Sequence, residues 1–531
     1  MQTSNSYDLR HQTITWCVAL SSLTLLFNTA ESFAEDASNV EPFGTHPQAM
    51  KWLAQQLTAT KGDRPLLIVW VLDETKSMDT EFHETTETVH RLYSELGQET
   101  QSAVISYGAG THVLTKEPVA TTPAGFGSLR KAFDRKPIDD SGKENLCKAV
   151  QFAIEEFSDH ANDNHQRLVV IAVTNEAPSD SGDTAADPNL LEQTVQKCRK
   201  SSVSVYLLGR ESTFGKPWAR IRWSDPVFQL PHWVWIHRGP DSALPARLAW
   251  NGRGKSLDST PSGFGPYSLE RLCHATNGGF FALLPSQNVA GYKNRRSALA
   301  SYHPVLLDRK TEQLAISKSL FRASCQTIIE SLDPATDAKL IMRETFSTTN
   351  FDDETQQDLT NTEYAWEKLN AAITQLESVR RLREAEPSKR WQANYDLIYA
   401  QCLVFRVRLL QYMLALDNHK QHSPAASDTK HNKWMIRPSN QPLAEPSIDQ
   451  FSRLNKFCHP LEARDDFVTR MQHDRTAAQQ AIDQVISAHP DTPWAVVAEI
   501  EKRQSFGLKL WSYFHDPRFQ NVERKLKVPS F

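Results

Sequence analysis

An excess of basic residues is missing from this sequence: 59 Lys and Arg stand against 63 Asp and Glu, a formal net charge of -4. Nucleic acid therefore has no electrostatic claim as a partner. Long hydrophobic runs are missing too. The mean hydropathy of -0.50 excludes a polytopic membrane protein. The apolar run near the N-terminus, Trp16 to Phe27, is about 12 residues, too short to span a bilayer comfortably. Cysteine is sparse. Beyond Cys17, the chain has Cys147, Cys198, Cys273, Cys325, Cys402 and Cys458, scattered without paired spacing, so neither a disulfide framework nor a zinc site follows. No GxSxG, HExxH or P-loop occurs, which leaves acyl transfer, zinc hydrolysis and NTP hydrolysis without a motif.

What is present begins with a secretory pattern at residues 1–34. A polar start with Arg10 and His11 precedes the apolar run, and Ser32-Phe33-Ala34 offers small residues for cleavage before Glu35. The expected location is secreted or periplasmic, in the cell envelope, with an uncleaved N-terminal anchor as the alternative and no other membrane insertion. At 531 residues, two or three domains are expected.

The stretch Leu66 to Met78 organises the chain. Leu66 to Leu72 is continuously apolar, with no period-2 alternation, as in a parallel strand covered by helices on both faces. It stops on Asp73, Thr75 and Ser77, oxygen donors at every second position. At the carboxyl end of a doubly wound sheet, where ligands bind, such donors suit a hard cation.

A helix around Pro47 to Leu57 precedes this strand, and from residue 62 to 284 strand-like and helix-like runs alternate, predicting an α/β fold with a mostly parallel, doubly wound, Rossmann-like sheet. Helices are expected over Thr80 to Leu96, Asn145 to Phe157 and Leu190 to Lys200. Strands are expected over Ser102 to Gly108, with His112 to Thr115 as hairpin partner, over Leu168 to Thr174 and over Val203 to Gly209. A last helix and strand fill Ser268 to Leu284. No GxGxxG follows the first strand, which disfavours dinucleotide binding.

These residues resemble the von Willebrand factor A-type domain. Its metal-ion-dependent adhesion site begins with DxSxS after the first strand, and Asp73-Glu74-Thr75-Lys76-Ser77 matches with Thr in the first Ser position. Aligning the family's second loop on Ala149-Val150 places Glu144 where the family has Thr. Its third loop ends a strand in Thr-Asp-Gly, and Thr174-Asn175-Glu176 stands there instead. The resemblance implies a magnesium or manganese ion held by Asp73, Thr75, Ser77, Glu144 and Asn175, which binds an acidic group of a partner protein rather than turning over a substrate. Two carboxylates remain if Glu144 points inward. Glu176 and Asp180 are alternative sources of the missing carboxylate, with solvation of the loop the expected use of both. Lys76, between the two hydroxyl residues, is expected to point away.

An insert at 210–267 holds five of the thirteen tryptophans, Trp218, Trp223, Trp233, Trp235 and Trp250, and its prolines break it into pieces, as in a loop-rich cap. Aromatic loops near a site make partner surfaces, so Trp218, Trp223, Trp233 and Trp235 are candidate contacts. The alternative is that the rings bury the insert against its own sheet.

From residue 305 the pattern turns helical. Trp391, Tyr395, Ile398, Cys402, Phe405, Leu409, Tyr412 and Leu416 recur at alternating spacings of four and three. With Trp366, Leu369, Ile373 and Leu376 before Pro387, they predict an antiparallel helical hairpin within 305–420. Arg380, Arg381, Arg383, Arg406 and Arg408 are expected on solvated faces. Residues 421–450 read as a mobile linker and 451–531 as a helical region, in which Thr492-Pro493 starts a helix and an aromatic tail ends the chain. The string His489 to Ala495 resembles a helix boundary of tetratricopeptide-like repeats, without a 34-residue period to support it.

The signal pattern, A-type domain and helical tail together resemble bacterial envelope proteins. The function expected is protein binding through a metal site, not enzymatic. The alternatives are a metal-free scaffold of the envelope and, further off, a phosphatase with Asp73 as nucleophile. The phosphatase needs a second Asp where Thr75 stands.

Overall fold

In the computed structural model the eight residues of β2 (Leu66–Asp73) are all buried, and their side chains divide between two cores. The model describes residues 42–97, 99–134, 138–139, 141–181, 187, 189–226, 229, 231–284, 296–441, 443–454, 457 and 462–516; the secretory pattern at 1–34 lies outside them. Leu67, Val69 and Val71 face α4 (Leu146–Asp163), α5 (Leu190–Lys200) and α6 (Tyr267–Ala275). Leu66, Ile68, Trp70 and Leu72 face α1 (His46–Lys61), α2 (Asp79–Leu96) and α3 (Pro123–Asp134). A strand covered on both faces has no solvent side for polar residues, which is why its sequence does not alternate. At about 1.5–3 kcal/mol for each fully buried aliphatic side chain, this strand anchors the sheet.

Eight strands among the described residues make that sheet. Parallel neighbours run β1 (Phe43–Gly44), β10 (Gly279–Leu283), β7 (Ser204–Gly209), β6 (Arg167–Val173), β2, β3 (Gln101–Tyr107). The antiparallel β4 (Thr111–Val113) and β5 (Val119–Ala120) both pair with β3. This is the mixed, mostly parallel, helix-flanked sheet expected from the sequence. Gly97, with φ of 84°, closes α2 in a conformation that glycine adopts without strain. Five cysteines, Cys147, Cys198, Cys273, Cys325 and Cys402, are buried, and Cys458 lies outside the described residues.

The insert is more regular than a loop-rich cap. β8 (Ala219–Ser224) and β9 (Pro231–Ile236) form an antiparallel hairpin. The parts on either side of it join a different core: Phe214, Leu248, Trp250 and Phe264 pack with the C-terminal helices. Trp250 donates its indole N–H to the Leu340 carbonyl at 2.8 Å and stands edge-on to Phe405. Asp241 meets Arg390 at 2.7 Å, both buried. The described residues form one compact unit.

Phe351–Val379 and Lys389–His422 form the helical hairpin, and Ser388 caps the second helix by accepting from the Trp391 amide. Lys389–His422 is long and apolar enough to cross a bilayer, yet 89% of its apolar window lies inside the protein. Arg464–Ala488 and Pro493–Arg503 complete the packing, and Thr492 caps the latter.

Three expectations fail here. Residues 421–450 are not simply a linker, because β12 (Lys433–Ser439) lies between β11 (Thr345–Ser347) and β13 (Gly507–Tyr513) in an antiparallel sheet. The segment's polar residues hid a strand whose alternate residues, Trp434 and Ile436, are buried. Trp511–Tyr513, where the aromatic ending begins, belong to strand β13, with Trp511 exposed, and residues 517–531 lie outside those described. Nor do all the arginines solvate helix faces: Arg408 is buried against Glu501, Arg383 binds Asp396 at 2.5 Å, and Arg406 meets Asp474 at 3.1 Å.

Candidate functional site

Three loops meet beyond the carboxyl ends of β2, β3 and β6. The first leaves β2 at Asp73. One carboxylate oxygen of this buried residue accepts the Thr75 amide at 2.8 Å, and the other accepts the Thr174 hydroxyl at 3.0 Å. The Thr75 and Ser77 hydroxyls lie 3.2 Å apart, and the Asn175 side-chain amide donates to Ser77 Oγ at 3.0 Å. Asp73, Thr75, Ser77 and Asn175 are thus one hydrogen-bonded group drawn from two loops. Lys76, between the hydroxyl residues, is exposed.

The second loop is tied down on both sides. Asp139 pairs with Thr75 and accepts the Ala109 amide at 2.5 Å, and Gly108 leaves room for it, since a Cβ there would lie 2.2 Å from its carboxylate. Glu144 is fixed by its backbone: its amide donates to Ser179 Oγ and its carbonyl accepts the Ser179 amide, both at 2.9 Å. Its side chain is buried, and among the described residues its carboxyl group makes no hydrogen bond or ion pair. Burial first, then the nearby charges of Asp73 and Glu176, pushes its pKa well above the usual carboxylate range.

The third loop contributes more than sequence suggested. Glu176, read as solvated, is buried, and burial drives its pKa up to about 8 although the His237 backbone amide and Arg238 pull the other way. Asp180, also read as solvated, is buried and accepts the Cys147 and Lys148 amides at 3.2 and 3.0 Å, capping the start of α4. Tyr107, missed by sequence reasoning, ends β3 with a buried hydroxyl, and burial and the charges of Asp73, Glu144 and Asp180 raise its pKa. Its signal was the SAVISYG strand ending beside the first loop.

Asn175 carries a telling atom. Its Nδ2 is used by Ser77, but its Oδ1 is buried with no hydrogen-bond partner. An orphaned amide oxygen beside two hydroxyls and a cluster of buried carboxyl groups suits a hard cation. Among the described residues no three His, Cys, Asp or Glu side chains are grouped for direct ligation. The donor set available is therefore a carboxylate or two with hydroxyl and amide oxygens, the remainder left to water, which is the way magnesium is commonly held.

The tryptophans of the insert divide. Trp233 and Trp235 stand on the outward face of the hairpin, 63% and 42% exposed. Trp218, 44% exposed, stacks on His237 at 4.3 Å, and the His237 carbonyl accepts the Ala177 amide at 2.9 Å, next to Glu176. Trp223 turns the other way, against His232. Neither expectation, a partner surface or complete burial, covers all four rings.

The family model of the von Willebrand factor type A domain matches residues 68–220. No curated protein matches the chain. Solved structures similar to it include a point mutant of the PilB minor pilin from Streptococcus sanguinis, at 8% identity over 45% of this chain and 63% of the pilin, with a TM-score of 0.23. Another is glycerol dehydrogenase from Schizosaccharomyces pombe, at 8% identity over 84% of this chain and 90% of that one, with a TM-score of 0.19. At such scores neither carries an argument.

Proposed function

Because residues 68–220 form a von Willebrand factor type A domain, we propose that this chain is an extracytoplasmic protein-binding module whose crevice at Asp73 engages an acidic group of a partner through a bound magnesium or manganese ion. Domains of this type are generally protein-interaction modules, often metal-dependent. The extracytoplasmic part of the reading rests on the N-terminal apolar run and Ser32-Phe33-Ala34.

The observation that carries the metal is Glu144. A buried acid without a counter-charge is costly when ionised, and here it sits near Asp73 and Glu176. A divalent cation offsets that cost, and Asp73, Thr75, Ser77, Glu144 and the orphaned Asn175 oxygen would hold it. The ion supplies an open coordination position for a carboxylate oxygen. Around it the chain's own residues fix the geometry: Thr174 and the Thr75 amide orient Asp73, and Ser179 holds Glu144 in place.

Calorimetric titration of magnesium and manganese into residues 35–531 tests this. Saturable heat is expected in the wild type and absent in Asp73→Ala and Glu144→Ala. No heat in the wild type removes the metal mechanism and leaves the metal-free scaffold of the envelope as the reading to pursue.

A further inference from the structure

We infer that the outward face of the β8–β9 hairpin is a second docking surface, built for an extended acidic segment of a partner protein with carboxylates at alternate positions. This rests on the protein-binding reading above but not on its metal. In register across the hairpin, Arg220 lies opposite Trp235 and Arg222 opposite Trp233, so one face carries two arginine–tryptophan pairs in sequence. The Arg220 guanidinium lies 4.2 Å from the centre of the Trp235 ring. The other face already secures the hairpin: Ala219, Val234 and Ile236 are buried there, and Trp223 packs on His232. The outward tryptophans are therefore not needed to hold it down. Exposed large rings flanked by cations are the composition of a binding surface rather than a solvated one.

Charge selects the partner. Among the described residues no Asp or Glu forms an ion pair with Arg220 or Arg222, and Arg220 Nε is buried without a hydrogen-bond partner. Elsewhere the chain matches arginines to carboxylates, as at Arg271–Glu192, Arg322–Glu386 and Arg453–Asp417. Two arginines two residues apart on a strand project to one face about 7 Å apart. An extended chain repeats same-face side chains at that spacing, so acids at alternate positions meet both guanidiniums while indole faces take the apolar flanks. The hairpin is also continuous with the crevice, since its base is bonded through His237 to Ala177 in the third loop. One partner segment thus has a path from the ladder toward Asp73.

The test uses the full chain at low salt with a dye-labelled peptide alternating Glu and Val, a Lys-Val counterpart, and vesicles of anionic or zwitterionic lipid. Fluorescence anisotropy is expected to show saturable binding of the acidic peptide only, equal in chelator and in magnesium and weakened at least tenfold by Arg222→Glu or Trp233→Ala. Both residues are solvent-facing, so an unchanged thermal melt confirms that each variant folds. Binding unaffected by these substitutions, no saturable binding, or capture of anionic vesicles in place of the peptide overturns the inference. Peptide binding that persists in chelator while magnesium gives no calorimetric heat defeats the metal reading alone.

Discussion

The buried acids of the helical half and the buried Glu144 and Glu176 at the end of the parallel sheet are treated in opposite ways. Along the helical half and at its seam with the insert, buried acids among the described residues have cations. Asp241 meets Arg390 at 2.7 Å, Glu386 meets Arg322 at 2.6 Å, Asp358 meets Arg343 at 3.0 Å, and Asp396 binds both Arg383 and His489. At the end of the parallel sheet Glu144 is just as buried and has no ion pair among the described residues, while the pKa of Glu176 is driven up to about 8. A paired buried charge fixes architecture, whereas one left without a partner lowers stability unless something outside the chain completes it. The first kind ties the C-terminal half together and, at Asp241–Arg390, joins it to the insert, and the second marks where the molecule is prepared to bind.

The largest break is expected where the two regions meet. Asp241→Ala strands Arg390 in the interior, and removing one member of a buried pair costs about 3–5 kcal/mol. Urea unfolding should show this loss, and Asp241→Leu with Arg390→Met should recover most of it, since shape-matched apolar groups replace such pairs at little cost. If the single variant unfolds at the wild-type midpoint, the pair does not join the regions. At the sheet end the change is expected in the other direction. Magnesium at about one hundred times its Kd should stabilise the wild type by about 2.7 kcal/mol, seen as a higher melting temperature, and leave Asp73→Ala unmoved. The same isosteric substitution then separates the two kinds of acid. Asp396→Asn should cost about 2 kcal/mol through its weakened bonds to Arg383 and His489, while Glu144→Gln in metal-free protein should stay within about 1 kcal/mol of wild type. Equal losses in thermal melts would erase the distinction.

How much of this was legible in the sequence follows from the range of the interactions. The sheet was readable because burial on both faces leaves an uninterrupted apolar run, and Leu66 to Leu72 has it. The helical hairpin was readable because Trp391 to Leu416 repeats at helical spacing. The three-stranded sheet was not, since β12 pairs with a distant strand, β13, and its outward face carries Lys433, Arg437 and Ser439. Arg408 reads as a surface residue until Glu501, 93 positions away, is placed beside it. In the candidate site, Asp73, Thr75 and Ser77 announce themselves by spacing, and Glu144 and Asn175 were named by aligning loops on the family pattern. Glu176 gave no such sign, because its burial beside His237 and Arg238 depends on the insert rather than on its own segment, and Tyr107 showed only as the end of the SAVISYG strand, packed into the sheet core.

The smallest expected effect tests how local the site is. Lys76 lies between Thr75 and Ser77, and an ammonium there would oppose a divalent ion if it faced the same way. In the 3-10 turn Lys76–Met78 the Thr75 and Ser77 hydroxyls come together while Lys76 is exposed to solvent. Water and salt screen an exposed charge, so its interaction with the site should stay under about 1 kcal/mol. Lys76→Ala is therefore expected to tighten magnesium binding by less than about fivefold, and by less still in 0.5 M salt than at low ionic strength, as read by calorimetry. A gain well above tenfold that persists in high salt would place the ammonium inside the crevice, and the exposed residue would then belong with the unpaired groups of the sheet end rather than with the solvated surface.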